Sequence, residues 1–266
     1  MKNYLTLLLF SLSLTLVGQV NLDYQKPPEE ILELVDIQRA PTVILNEEKE
    51  FMVLLYRDQY KSIDELSQPE LRLAGLRINP KTNIGSRVTY YNKVEVKNLK
   101  EKNAQQLAVQ GLPDQPKLTN FTWSPDEKMI AMTNTTSEGV EVWVLDLEKA
   151  TVKRLTEPRV NANMRDVINW FEGGDAVLVK MLSPDRKDLV DTKSAIPSGP
   201  TISVNDGKKA QNRTYQDLLK NKNDEFNFEQ LAHSELYKVS LNGEATKWLD
   251  TGMHTGISFS PDGEYV

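Results

Sequence analysis

The sequence predicts an all-β fold made of β-propeller blades, forming an incomplete propeller with a helical insertion in the third blade. A Ser-Pro-Asp turn after an apolar-aromatic strand occurs at residues 121–128 and again at 257–264. A strand-turn-strand pattern ending in Leu occurs three times, with 8 residues between the paired positions Leu99 and Leu107, Leu147 and Leu155, and Leu241 and Leu249. From Leu99 to Leu147 is 48 residues and from Leu147 to Leu241 is 94, which fits one and two blades.

The first blade is predicted to follow a short helix. Residues 27–35 favour a helix because prolines suit its first turn and acidic residues suit the amino-terminal end of its dipole. One hairpin is predicted from strands at 41–45 and 50–56, and a second from strands at 88–99 and 105–109. Residues 58–87 are an insertion between the two hairpins.

The second blade has the clearest pattern, with strands predicted at 118–123, 129–134, 140–147 and 151–155. Its first turn, Ser124-Pro125-Asp126, has a physical cause: proline presets φ for a β-turn and aspartate bonds nearby backbone amides. We expect Trp123 and its counterpart Phe259 to pack between neighbouring blades rather than to stack on a ligand.

The third blade is predicted to be split by a long insertion. Strands are expected at 167–171 and 176–182, and the blade resumes at 235–239. The insertion, residues 183–234, has helical spacing at 215–219 and at 226–231, and long insertions in tight folds often serve binding. A fourth unit opens at Gly256, and the sequence ends at Val266 within its predicted second strand. Since a propeller needs at least four blades, we expect an amino-terminal piece of a longer protein.

Residues 1–19 are predicted to be a secretory signal peptide. Lys2 is the only charged residue before Asp23, an apolar run extends from Tyr4 to Val17, and Gly18 and Gln19 suit cleavage. The run of about 14 residues is short for a membrane span, which needs roughly 20. The prediction is therefore an exported propeller domain at 20–266, periplasmic or extracellular and free of the membrane after cleavage, with a retained membrane anchor as the alternative.

Composition excludes several classes of function. The net charge is −6 and the basic residues are interleaved with acidic ones, so nucleic acid is not an expected partner. The chain has no cysteine, which excludes disulfides, thiolate metal sites and a cysteine nucleophile.

Catalytic motifs are missing from these 266 residues. No G-x-S-x-G nucleophile elbow, metal-binding helix motif, calcium loop or glycine-rich phosphate loop occurs. The two histidines, His233 and His254, belong to different predicted elements and are interpreted as surface or packing residues. No catalytic, metal-binding or cofactor-binding residue is therefore predicted, and no cofactor.

Four stretches together carry a family resemblance. The segment 23–57 and the stretches 73–80, 161–165 and 213–219 resemble exported bacterial peptidases of the prolyl oligopeptidase family. The branch they resemble most is that of the glutamyl endopeptidases. The likeness covers essentially the whole mature chain, and it is the combination of these stretches that is specific, since Ser-Pro-Asp hairpins occur in many exported propellers.

The resemblance implies a two-domain serine peptidase acting on peptides. An amino-terminal propeller would cover a carboxy-terminal α/β-hydrolase domain, which is absent from this chain and would hold the Ser, His and Asp of an acyl-transfer mechanism. Cleavage would follow Glu or Asp, and the propeller would gate access of substrates. Arg77 and Arg165 lie in the resembling stretches and could meet an acidic side chain, but a structural salt bridge is the preferred interpretation of each.

Two other functions stay open at this point. One is a non-catalytic periplasmic propeller that binds proteins, like the propeller of the Tol translocation system. The other is a propeller enzyme with its active site in the central channel. The residues encoded after Val266 would discriminate, because a G-x-S-x-G motif followed by Asp and His would favour the peptidase.

Overall fold

The computed structural model describes residues 25–191, 194, 196, 199–200, 202, 206–207, 215–260 and 265–266. The chain divides into two compact units, Met1–Gln38 and Arg39–Val266. Within the first unit, helix α1 spans Glu29–Val35, begins after Pro28 and has acidic residues in its first turn, as the sequence predicts. The predicted signal peptide, residues 1–19, lies outside the described residues.

The second unit contains three four-stranded antiparallel sheets, each a simple meander, so the prediction of all-β propeller blades is confirmed. Blade 1 consists of β1 (Thr42–Leu45), β2 (Phe51–Tyr56), β6 (Lys93–Asn98) and β7 (Leu107–Ala108). Blade 2 consists of β8 (Leu118–Trp123), β9 (Met129–Thr135), β10 (Val140–Asp146) and β11 (Thr151–Arg154). Blade 3 consists of β12 (Ile168–Trp170), β13 (Ala176–Met181), β14 (Ser234–Ser240) and β15 (Ala245–Gly252).

The strands of blade 2 are apolar on both faces because both faces are covered. Along β9, Ile130 and Met132 point into a core shared with blade 1, whereas Ala131 points into a core shared with blade 3. Residues alternate between faces along a strand, so one strand supplies both cores. Blade 3 has a further apolar cluster on its other face, which includes Phe171 and Leu178.

Trp123 packs between blades as predicted, and Phe259 packs on one face of blade 3. Trp123 packs against the core shared by blades 1 and 2. Phe259 lies against the outer cluster of blade 3, with its ring centroid 4.9 Å from that of Phe171. Blades 2 and 3 are also linked by a hydrogen bond from Trp170 Nε1 to the carbonyl oxygen of Thr122, at 3.0 Å.

The Ser-Pro-Asp turn is closed by its serine. Ser124 Oγ accepts a hydrogen bond from the backbone N–H of Met129 at 2.9 Å and donates to Asp126 Oδ1 at 2.7 Å. At the second copy, Ser260 Oγ likewise accepts from the N–H of Tyr265 at 2.9 Å. In both copies the serine hydroxyl therefore accepts from the backbone N–H of the residue five positions later. Pro261–Glu264 lie outside the described residues.

Both insertions leave the blades at the same junction, between the second and third strands. The first insertion (residues 57–92) contains α2 (Ile63–Ser67) and a small sheet of β3 (Leu71–Leu73), β4 (Leu76–Asn79) and β5 (Ile84–Gly85). The second insertion (residues 182–233) contains α3 (Lys222–Ala232). In blade 2 the same junction is only the short turn 136–139. The two insertions therefore emerge from the same edge of the stacked sheets, and together we call them the cap.

Some predicted elements differ from the observed ones. The helical insertion in blade 3 is confirmed by α3, but residues 215–219 contain no helix. Residues 88–92 were predicted as strand, yet β6 begins at Lys93, because the chain here is still returning from the first insertion. The fourth unit has no strand among its described residues, although Ile257 packs on blade 3. Of the three Leu pairs, only Leu147 and Leu155 are both buried.

The repeat offers a matched test of inter-blade packing. Leu147→Ala should lower the free energy of unfolding by about 2 to 5 kcal/mol, since Leu147 is 2% exposed in the core between blades 1 and 2. Leu107→Ala, at the second position of the repeated Leu pair in blade 1 and 53% exposed, should change it by less than about 0.5 kcal/mol. Urea unfolding of both variants checks this. Equal losses would contradict the assignment of the cores.

Candidate functional site

The cap is held together by an apolar core that both insertions share. Leu73 and Ile78 of the small sheet pack with Leu231 of α3, and all three are buried. Leu219 and Phe228 of the second insertion lie against this cluster. Two segments more than 100 residues apart in sequence thus form one structural unit, because both leave the sheets at the same junction.

A polar layer ties the cap to the connection between blades 2 and 3 (residues 155–167). Asn161 Nδ2 donates to the carbonyl oxygens of Leu231 and His233, at 3.0 and 2.9 Å. Asn163 Nδ2 donates to the same Leu231 oxygen at 3.1 Å. These bonds satisfy the last carbonyls of α3, which have no partner within the helix. The buried asparagines therefore terminate α3 and fix it on the blades.

An arginine and acid cluster closes the outer side of the cap. Glu70 accepts bonds from Ser86 Oγ at 2.6 Å, from Arg72 at 2.7 Å and from Arg77 at 3.2 Å. Arg77 also pairs with Asp217 of the second insertion at 3.2 Å. The Ser86 hydroxyl, with Arg72 and Arg77, lowers the pKa of Glu70 to about 2, against the smaller opposing effect of desolvation.

The two arginines selected from the sequence differ in their contacts: among the described residues, Arg77 is paired with acidic residues and Arg165 is not. Arg77 lies in a structural salt bridge with both Glu70 and Asp217, as preferred from the sequence, so its charge is already neutralised by the cap. Arg165 is exposed, and its guanidinium makes no ion pair among the residues that the structure describes. The predicted salt bridge of Arg165 is therefore not found there, because the segment turns its side chain to solvent.

The two histidines occupy structural positions. His233 is the C-cap residue of α3 and its Nδ1 lies 3.9 Å from Glu229 Oε1 on the same helix. His254 Nε2 lies 3.0 Å from the carbonyl oxygen of Asp250. Within the described part of the chain, neither is hydrogen-bonded to a serine hydroxyl, and no group of three His, Asp or Glu residues is arranged to hold a metal ion.

Lys180 on β13 is a buried cation that sequence reasoning missed. The side chain is 1% exposed, and Nζ donates to the carbonyl oxygen of Asn163 at 3.0 Å and to that of Arg165. Desolvation lowers the pKa of Lys180 to about 8, and the charge of Asp166 partly offsets this. Its position within an otherwise apolar strand is the sequence signal that could have revealed it.

A polar cleft lies between the first insertion and blade 2, and sequence analysis missed it. The cleft has a volume of about 290 Å³ and is lined by α2 and β4–β5 residues on one side and by the 135–137 turn on the other. A second cleft of about 450 Å³ adjoins it and shares Lys61, Glu65, Tyr90, Gln115 and Lys117. The Ser62-x-x-Glu65 capping box that begins α2 is the sequence signal that could have revealed one wall of the cleft.

The comparisons with known proteins point to peptidases. Two curated plant proteins named "Probable glutamyl endopeptidase, chloroplastic" are similar to this chain: one from Oryza sativa subsp. japonica with 28% identity and one from Arabidopsis thaliana with 29%. Each alignment covers 254 residues and 91% of this chain. The predicted resemblance to the glutamyl endopeptidases of the prolyl oligopeptidase family is confirmed. The chain spans about a quarter of the length of these relatives, 27% and 26%.

Solved structures were compared as well. Pyrococcus horikoshii acylaminoacyl peptidase matches with a TM-score of 0.42 and 12% identity, covering 85% of this chain and 27% of that one. The β-propeller domain of the trilobed protease from Pyrococcus furiosus matches with a TM-score of 0.35 and 13% identity, covering 80% and 43%. No family model matches the chain. Among the described residues, no helix has the length and apolarity required to traverse a bilayer.

Three of the four stretches that carry the family resemblance, 73–80, 161–165 and 213–219, meet at the cap. Gly75 donates its backbone N–H to the carbonyl oxygen of Asp217 at 3.3 Å, which joins stretch 73–80 to the described end of stretch 213–219. Ala162 donates its N–H to the carbonyl oxygen of Asn83 at 2.9 Å, which joins stretch 161–165 to the first insertion. Three of the resembling stretches thus lie where separate segments must fit one another. Residues 213 and 214 lie outside the described residues.

The low pKa of Glu70 makes the cap sensitive to acid. A carboxyl whose folded pKa is about 2 adds stability above its ordinary pKa of 4.5 and loses that contribution as the pH falls from about 4.5 to about 2. Glu70→Gln should therefore lower the free energy of unfolding by about 1 kcal/mol at pH 7 and by progressively less in acid. Urea unfolding at a series of pH values measures this. Glu101→Gln, at an exposed position, is the control and should follow the wild type throughout.

Lys180 also makes stability rise with pH, but in the alkaline range rather than in acid. Its folded pKa of about 8 lies below the ordinary 10.5, so the unfolded chain binds more protons between those values and stability rises with pH across that window. Lys180→Met should remove this rise, which we expect to be on the order of 2 kcal/mol. The free energy of unfolding is measured at each pH for the wild type, Lys180→Met and the exposed control Lys187→Met. An unchanged slope in Lys180→Met would refute the assignment.

Proposed function

We propose that this chain is the propeller portion of an exported serine peptidase that cleaves after Glu or Asp. Residues 1–19 would be the signal peptide and 20–266 the propeller domain, so the protein would work in the periplasm or outside the cell. The observation that carries the proposal is the alignment with two glutamyl endopeptidases over 91% of this chain. The Ser, His and Asp would lie in an α/β-hydrolase domain encoded after residue 266.

In this proposal the propeller gates the approach of substrates. The contacts of the cap support a gating role, because its apolar core, the asparagine layer and the Arg77 ion pairs hold it on the blades. In this proposal the cap excludes folded proteins while extended peptides pass. Because Arg77 is paired, the selection for an acidic residue at the cleavage point belongs to groups outside this salt bridge.

The proposal is tested on the intact protein produced from the complete gene. The intact protein should hydrolyse a peptide with a single internal Glu or Asp, should be at least about tenfold slower on the matched Gln peptide, and should react covalently with a fluorophosphonate serine probe. The 266-residue chain, checked for β-structure by circular dichroism, should do neither. Gating predicts that a peptide is cleaved and that the same sequence inside a folded protein is spared.

Three results would contradict parts of this proposal. Probe labelling of the 266-residue chain would overturn the assignment of the catalytic residues to a later domain. Equal rates on Glu and Gln peptides would overturn the specificity, and equal cleavage of folded and unfolded substrates would overturn the gating.

A further inference from the structure

We propose that the polar cleft between the first insertion and blade 2 binds a single acidic side chain of an extended peptide. The role of such a subsite in catalysis rests on the proposed peptidase function, but its binding of peptide does not. The cleft is formed wholly by described residues, and the cap chemistry already discussed uses only its edge at Ser86.

An unpartnered hydroxyl indicates that the cleft is built to hold a polar ligand. Thr82 of the first insertion and Thr135 of β9 both line the cleft, with 5% and 8% exposure. Thr82 Oγ1 makes no hydrogen bond among the described residues, whereas the Thr135 hydroxyl lies beside the Tyr90 phenol, whose pKa is raised by burial and partly lowered by Thr135. A buried hydroxyl without a partner costs free energy, which a bound group can recover.

The charges around the cleft favour an anion. Lys61 Nζ donates to the carbonyl oxygen of Val88 at 2.9 Å, a neutral acceptor, and the exposed Lys81 makes no ion pair among the described residues. Three lysines, Lys61, Lys81 and Lys117, line the cleft together with two carboxylates, so its formal net charge is positive. Asp64 pairs with Lys117 at 3.2 Å, and Glu65 accepts from the backbone N–H of Ser62 at 3.0 Å and keeps its negative charge.

Two lysines without an ion-pair partner among the described residues thus line the same cleft as the unsatisfied hydroxyl of Thr82. An ammonium and a hydroxyl are the donors that a carboxylate accepts from most strongly. The cleft volume of about 290 Å³ fits the end of a side chain rather than a folded domain.

The adjoining cleft determines what surrounds the acidic residue. Arg57, Asp58 and Asp114 line it together with the shared residues, so its charges are mixed. Asp58 accepts a hydrogen bond from the neutral Asn92 Nδ2 at 2.9 Å and keeps its charge, so Asp58 and Asp114 both repel a second acidic residue. The ligand is therefore a peptide with one Glu or Asp between neutral residues, and not a run of acidic residues.

The test measures peptide binding to the intact protein after fluorophosphonate treatment, so that a reactive serine is blocked and no cleavage occurs. Three fluorescently labelled peptides are compared by anisotropy: one with a central Glu between alanines, the same peptide with Gln, and one with three consecutive Glu residues. We expect the single-Glu peptide to bind about tenfold more tightly than either of the others, with affinity falling as salt is added.

Variants assign the binding to this cleft. Lys81→Gln should weaken binding of the Glu peptide by about threefold and leave the Gln peptide unaffected, whereas the exposed control Lys102→Gln should change neither. Thr82→Val should weaken Glu-peptide binding and raise the melting temperature, because it removes a buried hydroxyl that has no partner without ligand.

Several outcomes overturn the inference. Equal binding of Glu and Gln peptides refutes acidic recognition. Competition by inorganic phosphate at the concentration at which the free peptide competes refutes a peptide site in favour of a simple anion site. If Thr82→Val raises the melting temperature and leaves the peptide affinity unchanged, the Thr82 hydroxyl does not contact the peptide, which contradicts its proposed role. Failure of the fluorophosphonate to react bears on the proposed peptidase function alone, since peptide binding is read separately.

Discussion

The structure depends on the requirement that each central strand bury both of its faces. In blade 2, Met132 faces blade 1 and Ala131 faces blade 3. The apolar side chains on each face of the sheet therefore stay exposed to water until a neighbouring blade covers them. A blade of this kind cannot bury its apolar surface alone, and stability accumulates only as blades stack. Apolar packing alone does not fix how two blades are oriented. The hydrogen bond from Trp170 to the Thr122 carbonyl oxygen helps to fix the orientation of blade 3 on blade 2.

The stacking also determines where the insertions can go. Because the blades repeat the same meander, junctions between second and third strands recur at one edge, and long segments placed there are brought together. The cap follows from that placement: an apolar cluster around Leu231, an asparagine layer and the Arg77 ion pairs. The cleft beside Thr82 and Thr135 arises where the first insertion leans on blade 2 without filling the space.

These features bear on function through charge. The arginine that the family resemblance made a candidate for recognising acidic residues is used by the protein itself, in pairs with Glu70 and Asp217. The cleft lysines Lys61 and Lys81 have no acidic partner in the described structure. Arg77, which is paired within the protein, and Lys81, which has no ion-pair partner among the described residues, are thus only four residues apart in the sequence.

The sequence by itself determined the blades. Period, Leu spacing and the Ser-Pro-Asp turns reflect local rules of strand and turn formation, so strand positions in blade 2 agree with prediction to within one residue at most ends. Helix α3 was visible from its spacing at 226–231. The same kind of spacing at 215–219 failed, because the chain bends there, with Asp217 at φ 54° and paired with Arg77 of the first insertion.

Only the tertiary structure decided the pairing of Arg77, the burial of Lys180 and the existence of the cleft. Each depends on segments tens to more than a hundred residues apart, and which of them meet is set by how the blades stack. Local sequence patterns do not say which distant segments meet in space. No spacing rule could therefore have predicted the pairing of Arg77 with Asp217.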